Sequence, residues 1–336
     1  MAKIAEKLPE VTEDQWLQCN EFNREITKEF LEESTQLSPK TIKSYCSALR
    51  QFFWFVKENL DNMSILELKG RDYLKYQNFL VRREMSYSAI KFRRSTISSL
   101  NNYIVLYYED KYPIFKNFIT KAIASPEKTF VHEKKPLNAE EYEMLLKTLE
   151  EREEWQKIAY LKFSYATGCR RAEVRQLLKE VVDYDLIIKE VKIKNDKGNE
   201  ETKVAKYYIT HDIRCKGKGK TGKIRKLQFS EDAMDAIKKW LEVRGEDDCP
   251  YVFVSRYRVI KQVDESTFNT WCEGFSKIVG RRVHPHQMRE KRATDMVVVE
   301  GKDIKAAQKL LGHMSSETTN IYVIRDDMDD SDEAFI

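Results

Sequence analysis

The chain has 336 residues, 41% of them hydrophobic and 34% charged, which is enough apolar material for the cores of two ordinary domains. The formal net charge is +4, but six acids stand in the last segment, 326–336, and leaving those six out raises the balance to +10. This excess favours a polyanionic partner, most simply nucleic acid. No apolar run approaches the ~18 residues of a membrane helix, and the start of the chain lacks a signal-peptide pattern. We therefore expect a soluble protein without a membrane partner, whose six scattered cysteines are reduced.

Residues 21–123 are predicted to form an all-helical domain. In "SPKTIKSYCSALRQFFWFVKENL" the apolar side chains recur at helical spacing, with Ser38 as the N-cap and Pro39 as the first helical residue. A second basic helix is predicted for "SYSAIKFRRSTISSLNNYIVLYYEDKYP". The basic residues that we select as DNA-contact candidates are Lys43, Arg50, Lys91, Arg93 and Arg94. On periodicity alone, these side chains are as well explained by solvation as by contact with a polyanion.

The stretch "ASPEKTFVHEKKP", residues 124–136, loses the helical periodicity and carries two prolines, which predicts a linker. A second domain is predicted over 137–325, beginning with a helix capped by Asn138. Alternation typical of strands appears in "DLIIKEVKIKN", "AKYYITHDIRC" and "IRKLQF", and helices follow. We expect helices around a small antiparallel sheet. Residues 1–20 are then an N-terminal extension, and 326–336 form an acidic tail that we expect to be disordered.

The glycine-lysine stretch "GKGKTGK", Gly217 to Lys223, satisfies part of the phosphate-binding P-loop pattern. A P-loop needs Ser or Thr next, to bind magnesium, and then a helix, whereas this chain has Ile224 and a strand-like run. A basic turn between two strands fits better, with lysines available to phosphates.

The segment "YATGCRRAEVRQL" predicts a helix that ends at Gly168, a tight turn, and Arg170 at the start of the next helix. An arginine near exposed helix amides is well placed to bind a phosphate through two hydrogen bonds. Arg171 and Arg175 can instead be solvated, and Glu173 can pair with either of them.

The segment "VHPHQMREKRAT" places His286 and Arg289 three residues apart, hence on one face if it is helical. His284 and His286 alternatively suggest a metal pair on a strand, but no carboxylate or cysteine nearby completes a ligand set. A helix cap is a third interpretation.

The last cluster is "KAAQKLLGHMSSETTNIYV", where a helical pattern ends at Gly312 and His313. Tyr322 follows that histidine by nine residues, across a polar stretch that we predict to be a loop. A single tyrosine is more often a core residue than a nucleophile, so this cluster decides nothing alone.

Together these motifs resemble the tyrosine recombinase family, which includes the phage integrases and the Xer-like recombinases that resolve chromosome dimers. Family members carry an arginine after T-G-x with a glutamate three residues later, an H-x-x-R box, an L-G-H box, and a nucleophilic tyrosine nine residues beyond the last histidine. The matching residues are Arg170, Glu173, His286, Arg289, Leu311, Gly312, His313 and Tyr322. The resemblance is specific in the second half of the chain and loose in the helical first half.

The family also carries a catalytic lysine on a turn between strands, and here two positions stay open. Counting back from the following strand favours Lys220, whereas the G-K-G pattern favours Lys218. Glu290 departs from the family, in which a histidine usually follows the box arginine.

The resemblance implies a metal- and ATP-independent reaction, without a cofactor, in which two arginines hold the scissile phosphate. His286 is then a base or a phosphate ligand, His313 a donor to the phosphate, and Lys220 or Lys218 the general acid, with Glu173 in support. Tyr322 would attack phosphorus and form a 3′-phosphotyrosyl link. The polar stretch before it is expected to act as a flexible tether.

The implied fold is mainly α with a small antiparallel sheet: a helical, SAM-like core-binding domain and an α+β catalytic domain. Double-stranded DNA is the implied partner, gripped by both domains, with four protomers on two sites exchanging strands through a Holliday junction. An accessory DNA-bending or directionality factor is a further candidate partner. The expected location is the cytoplasm, on the nucleoid.

Three other functions compete with recombination. A type IB topoisomerase would relax DNA with the same residue types but without exchanging partners. A non-cleaving regulator of recombinase descent would bind DNA only, and the complete residue set disfavours it. A metal-dependent nuclease would need a carboxylate cluster, which the sequence does not contain.

Overall fold

The computed structural model describes residues 8–127, 135–194, 200–215, 222–312, 316–320 and 323. The described chain is mainly helical with small antiparallel sheets, which confirms the predicted fold class. It divides into two compact units: the first contains residues 8–127, and the second contains 135–194, 200–215, 223–312, 316–320 and 323. The exact domain limits given above stay predictions. None of the helices in these ranges is both long and apolar enough to cross a membrane.

The first unit is a bundle of helices around one aromatic core. Its helices are α1 (Glu13–Leu17), α2 (Glu21–Glu33), α3 (Pro39–Asn59), α4 (Gly70–Arg82) and α5 (Tyr87–Tyr107). The Ser38 hydroxyl accepts a hydrogen bond from the Thr41 amide and Pro39 opens α3, so the predicted cap is confirmed. Phe52 and Tyr76 meet edge to face in the core, with ring centroids 5.0 Å apart.

The second unit packs helices around a central buried helix. Its helices are α6 (Ala139–Glu151), α7 (Trp155–Thr167), α8 (Arg171–Val174), α9 (Glu231–Arg244), α10 (Glu265–Val279), α11 (Gln287–Thr294), α12 (Ile304–Leu311) and α13 (Ser316–Asn320), with a 3₁₀ helix Lys179–Asp183 and a π-helical turn Asp295–Val299. The predicted Asn138 cap of α6 is confirmed. Helix α7 packs against α6, α9 and α11, because apolar residues lie on all sides of it.

Within the part of the chain that the structure describes, the strands form three small antiparallel sheets rather than the single sheet that the sequence predicted. They are β1 (Ile187–Lys194), β2 (Glu200–Ile209), β3 (Ile213–Cys215), β4 (Lys223–Arg225), β5 (Gln228–Phe229), β6 (Val254–Ser255) and β7 (Lys261–Gln262). The sheets are β1-β2-β5, β3-β4 and β6-β7. The β2-β5 and β3-β4 pairs are parts of one long hairpin, interrupted where the Thr210 hydroxyl accepts a hydrogen bond from the Leu227 amide.

The β3-β4 pair confirms that the glycine-lysine stretch joins two strands. Cys215 pairs with Lys223, and a strand, not a helix, follows Gly222. The helical context of a P-loop is therefore lacking here.

The prediction of a polar loop before Tyr322 is wrong for residues 316–320, because these residues form helix α13. Glu317 lies in the first turn of this helix, where a negative charge interacts favourably with the helix dipole. The Val323 amide donates to the Thr319 carbonyl at 3.2 Å. Polar composition alone therefore misled the prediction.

Candidate active site

The turn that carries Arg170 is fixed by a glycine. Helix α7 ends at Gly168 with φ +55°, a left-handed conformation that favours glycine. A Cβ at this position would collide with Cδ2 of Leu311. The predicted helix end is confirmed, and the glycine is needed both for backbone conformation and for close approach of the segment ending at Leu311.

Arg170 is held by the carboxylate of Glu173. Its backbone amide donates to Oε2 of Glu173 at 3.1 Å, and its guanidinium donates to Oε1, also at 3.1 Å. The Glu173 side chain is 1% exposed, whereas that of Arg170 is 25% exposed. The Arg170 side chain is therefore partly exposed to solvent, while its backbone amide and its guanidinium are both held by the buried Glu173.

A second arginine, Arg225 of β4, shares the same carboxylate. Its guanidinium donates to Oε2 of Glu173 at 2.8 Å. The sequence had offered Arg171 and Arg175 as partners of Glu173, and this is corrected. Arg171 and Arg175 face α10 and β7 instead: Arg171 pairs with Glu265 at 3.3 Å, and Arg175 donates to the side chain of Gln262 at 2.9 Å.

The charge of Glu173 is stabilised in spite of its burial. Burial by itself raises the pKa of this carboxyl group, but the Arg225 guanidinium and the hydrogen bonds from Arg225 and Arg170 outweigh that effect. The pKa of Glu173 is consequently held below its ordinary value. Glu173 is therefore a carboxylate at neutral pH, and it orients two cations.

Arg289 of α11 joins the ends of two helices. Its side chain is fully buried, and its terminal nitrogens donate to the carbonyl of Gly168 at 2.5 Å and to the carbonyl of Leu311 at 2.7 Å. These carbonyls belong to the last turns of α7 and α12, which have no partner within their own helices. A cation at a helix C-terminus is also favoured by the helix dipole.

Gly312 ends α12 as predicted, with φ +66°. A Cβ on this residue would lie 2.6 Å from a terminal nitrogen of Arg225, which also donates to the Leu310 carbonyl at 2.9 Å. The last carbonyls of α12 thus accept hydrogen bonds from two arginines, Arg225 and Arg289.

His286 lies just before α11, one turn from Arg289, and is exposed. Its ring centroid is 6.5 Å from that of His284. Burial, together with the nearby His286 and two arginines, lowers the pKa of His284. Across the described ranges, no group of three His, Cys, Asp or Glu residues is arranged to hold a metal ion.

The structure therefore brings together three of the predicted site residues, Arg170, Glu173 and Arg289. His286 lies at the start of α11, the helix that carries Arg289. The other predicted residues, Lys218, Lys220, His313 and Tyr322, lie outside the described residues. One residue was missed by sequence reasoning, Arg225, which was noted only as part of a strand. The sequence signal that could have found Arg225 is an arginine within the short strand that follows the glycine-lysine stretch.

The basic candidates of the first unit fall into two groups. Arg50, Arg93 and Arg94 are bound within the unit: Arg50 pairs with Glu13 at 2.7 Å, Arg93 donates to Gln51, and Arg94 donates to the Thr120 carbonyl. Lys43 and Lys91 are exposed. Their contact with DNA stays a prediction, and the exposed lysines are the stronger candidates.

Comparison with known proteins decides the family. The model of the phage integrase family matches residues 135–328, which is more than half of the chain. The chain belongs to the phage integrase family. A second phage integrase model, of the N-terminal SAM-like domain, matches residues 28–106. The resemblance found in the sequence is thereby confirmed.

Relatives in the phage integrase family cover nearly the whole chain. The SPbeta prophage-derived recombinase-like protein YomM of Bacillus subtilis (strain 168) is 33% identical over 98% of this chain and 96% of its own length. Tyrosine recombinase XerC of Escherichia coli O157:H7 is 26% identical over 87% of this chain and 88% of its own. Similarity to these relatives supports a function in DNA recombination.

Two solved structures share the fold of this phage integrase family member. One is a XerH site-specific recombinase bound to a palindromic difH substrate in a post-cleavage complex, with a TM-score of 0.64, 18% identity, and coverage of 100% of this chain and 99% of that chain. The other is a lambda integrase tetramer bound to a Holliday junction, with a TM-score of 0.62, 17% identity, and coverage of 94% and 78%.

We expect Glu173→Gln to lower the free energy of unfolding by about 2 kcal/mol at pH 7, because two arginines lose a charged acceptor. The folded pKa of Glu173 lies below the ordinary value of 4.5, so its charge stabilises the fold above that pH and the contribution is lost as the pH falls through the folded pKa. The difference between wild type and variant should therefore shrink below pH 4.5. Urea denaturation at a series of pH values measures it.

Glu180→Gln is the matched control, since Glu180 is exposed and accepts one hydrogen bond from Tyr184. It should change the free energy of unfolding by less than about 0.5 kcal/mol. A Glu173→Gln effect that is absent at pH 7, or is equally large at pH 3, would contradict the assignment of a buried, shared carboxylate.

Proposed function

We propose that the protein is a site-specific recombinase that cleaves and rejoins DNA strands through a 3′-phosphotyrosyl intermediate on Tyr322. The observation that carries this proposal is the convergence of Arg170 and Arg289 on the Gly168 turn. These arginines are separated by more than a hundred residues of sequence, yet both are fixed within one hydrogen-bonded cluster. Two fixed arginines suit a phosphodiester, whose oxygens gain charge in the transition state.

The two arginines differ in how they can act on the phosphate. Arg170 is partly exposed and held by a buried carboxylate, so it can donate directly to a phosphate oxygen. Arg289 is fully buried, and its charge acts from a region of low dielectric constant, where electrostatic stabilisation is strong. Because both are fixed in advance, little reorganisation is needed during the reaction.

In the proposed cleavage step, the Tyr322 hydroxyl oxygen bonds to phosphorus and the bond from phosphorus to the 5′ oxygen breaks. The tyrosine proton passes to a base or to water, with His286 as the candidate base, and the leaving 5′ oxygen takes a proton from Lys218 or Lys220. His313 donates to the phosphate. A 5′ hydroxyl then attacks the phosphotyrosine and restores a phosphodiester, which releases Tyr322.

In the proposed reaction neither a metal ion nor ATP is required. The arginines supply the positive charge that a metal would otherwise supply, and the phosphotyrosyl link retains the phosphodiester bond for rejoining. We therefore propose that the reaction proceeds without a cofactor and persists in EDTA.

We propose that four copies of the chain act on two DNA sites through a Holliday junction, with the helical unit holding the duplex. The support is the shared fold with a lambda integrase that is a tetramer on such a junction and with a XerH recombinase bound to its substrate. An accessory DNA-bending or directionality factor can take part. The expected place of action is the nucleoid.

The first expected outcome concerns Tyr322. Wild-type protein, incubated in EDTA with nicked duplexes from the DNA around its gene, should remain attached to DNA after detergent treatment. Tyr322→Phe should lose this attachment by at least about 10³-fold, because the nucleophilic oxygen is removed. Gel electrophoresis of labelled DNA measures it.

Tyr184→Phe is the matched control, because Tyr184 lies in the second unit and its hydroxyl donates to the exposed Glu180. It should retain attachment. Metal-dependent cleavage without attachment would favour a nuclease, because the nucleophile is then water, and binding without cleavage or attachment would favour a regulator. Relaxation of plasmid that lacks a site, without recombination between two sites, would favour a topoisomerase.

The second expected outcome concerns the exposed lysines of the first unit. Lys43→Gln and Lys91→Gln should each weaken binding to any duplex and reduce the slope of log affinity against log salt by about 1, since each removes one phosphate contact. Lys57→Gln is the control, because Lys57 is paired with Glu58 at 2.6 Å. Fluorescence anisotropy over a salt series measures the slope. Unchanged slopes in Lys43→Gln and Lys91→Gln would exclude both residues from the DNA interface.

A further inference from the structure

Arg225 contacts three separate segments of the second unit. Its guanidinium donates to the Glu173 carboxylate at 2.8 Å, to the Leu310 carbonyl at 2.9 Å, and to the sulfur of Cys215 at 3.2 Å. We propose that Arg225 is a positioning residue that fixes Arg170 relative to the segments carrying His313 and the candidate catalytic lysines. This inference rests on the proposed function, since it concerns the same reaction.

The contact with Glu173 fixes the Arg170 side of the site. The guanidinium groups of Arg225 and Arg170 donate to opposite oxygens of one buried carboxylate, so movement of Arg225 would loosen the side chain that orients Arg170. The ion pair is strong enough to influence both partners: although burial alone lowers the pKa of Arg225, the Glu173 charge raises it above its ordinary value. Arg225 is 20% exposed, which limits screening by water.

The contact with Leu310 fixes the end of α12. This carbonyl lies in the last turn of the helix, three residues before His313 in the sequence. Arg225 approaches so closely that any side chain at Gly312 would collide with its guanidinium. The glycine of the L-G-H box thus makes room for Arg225, besides ending the helix.

The contact with Cys215 fixes the base of the β3-β4 hairpin. Cys215 is the last residue of β3, and Lys223, its pairing partner, is the first of β4. Lys218 and Lys220 both lie in the segment between these two residues. A bond across the base of the hairpin restricts where that segment begins and ends, whichever lysine is the general acid.

Only arginine can make this set of contacts. Its planar guanidinium presents five N–H donors in fixed directions, whereas lysine has a single ammonium group that pivots on a flexible stem. The three acceptors lie on three different segments, so a lysine that reaches Glu173 would forfeit the others. Arg225 can therefore couple the segments as a lysine cannot.

We expect Arg225→Met to lower the single-turnover rate of covalent attachment about 10–100-fold, as is typical when a residue that orients catalytic groups is removed. The dissociation constant for DNA should change by less than about threefold, because Arg225 is proposed to act on the transition state. Arg225→Lys should give a rate between Arg225→Met and wild type, because it retains the charge beside Glu173. Rates are measured with nicked duplexes, and dissociation constants by fluorescence anisotropy.

Arg244→Met is the matched control. Arg244 is also a buried arginine that pairs with a carboxylate, Asp247, and donates to the backbone carbonyls of Tyr251 and Cys249, and these partners lie outside the site. It should leave the rate within about threefold of wild type, even if the melting temperature falls. An equal loss of rate in Arg244→Met and Arg225→Met, or a loss of binding as large as the loss of rate in Arg225→Met, would overturn the inference.

Hydrogen exchange without DNA separates this inference from the proposed function. Arg225→Met should speed amide exchange in the two remote segments, 168–178 and 304–312, as well as in the hairpin, whereas Arg244→Met should not. If Arg225→Met changes amide exchange only in the β3-β4 hairpin, Arg225 does not couple the three segments, even if the protein is active. If wild type never attaches to DNA, the proposed function fails, and exchange still decides whether Arg225 couples the segments.

Discussion

The site depends on one buried carboxylate, that of Glu173. A buried charge is costly unless it is paired and hydrogen-bonded. Here, two arginines from different parts of the chain and one backbone amide surround it. The need to satisfy that charge requires the Arg170 turn and strand β4 to lie together. The position of Arg170 is thus determined by electrostatics inside the protein before any DNA binds.

A second constraint comes from the ends of helices α7 and α12. Their last carbonyls have no partners within the helices, and Arg289 and Arg225 satisfy three of them. Both helices end in left-handed glycines, and at each one a neighbouring side chain occupies the space that a Cβ would need. The proposed phosphate-binding arginines and the end of α12 are therefore arranged by the same bonds that cap the helices. If the proposed roles hold, catalytic geometry and local stability depend on the same contacts in this cluster.

The sequence predicted those features that local chemistry determines. Ser38 before Pro39 marked a helix start, and Gly168 and Gly312 marked helix ends, because caps depend on a few neighbouring residues. The partner of Glu173 was missed because Arg225 is about fifty residues away, and only the tertiary fold brings it near. The interruption of the long hairpin and the short helix α13 were missed for a related reason: single side-chain contacts and dipole effects outweighed composition there. The motif spacing nevertheless indicated the family, since it reflects the chemistry rather than the packing.

Recombination as proposed here requires that Tyr322 become covalently joined to DNA. The most direct measurement is to capture the complex on nicked duplex, digest it with nuclease and protease, and locate the residual nucleotide by mass spectrometry. We expect a phosphotyrosine link on the peptide that contains Tyr322, with the phosphate joined to a 3′ oxygen. A nucleotide on any other residue, or a link to a 5′ phosphate, would contradict it.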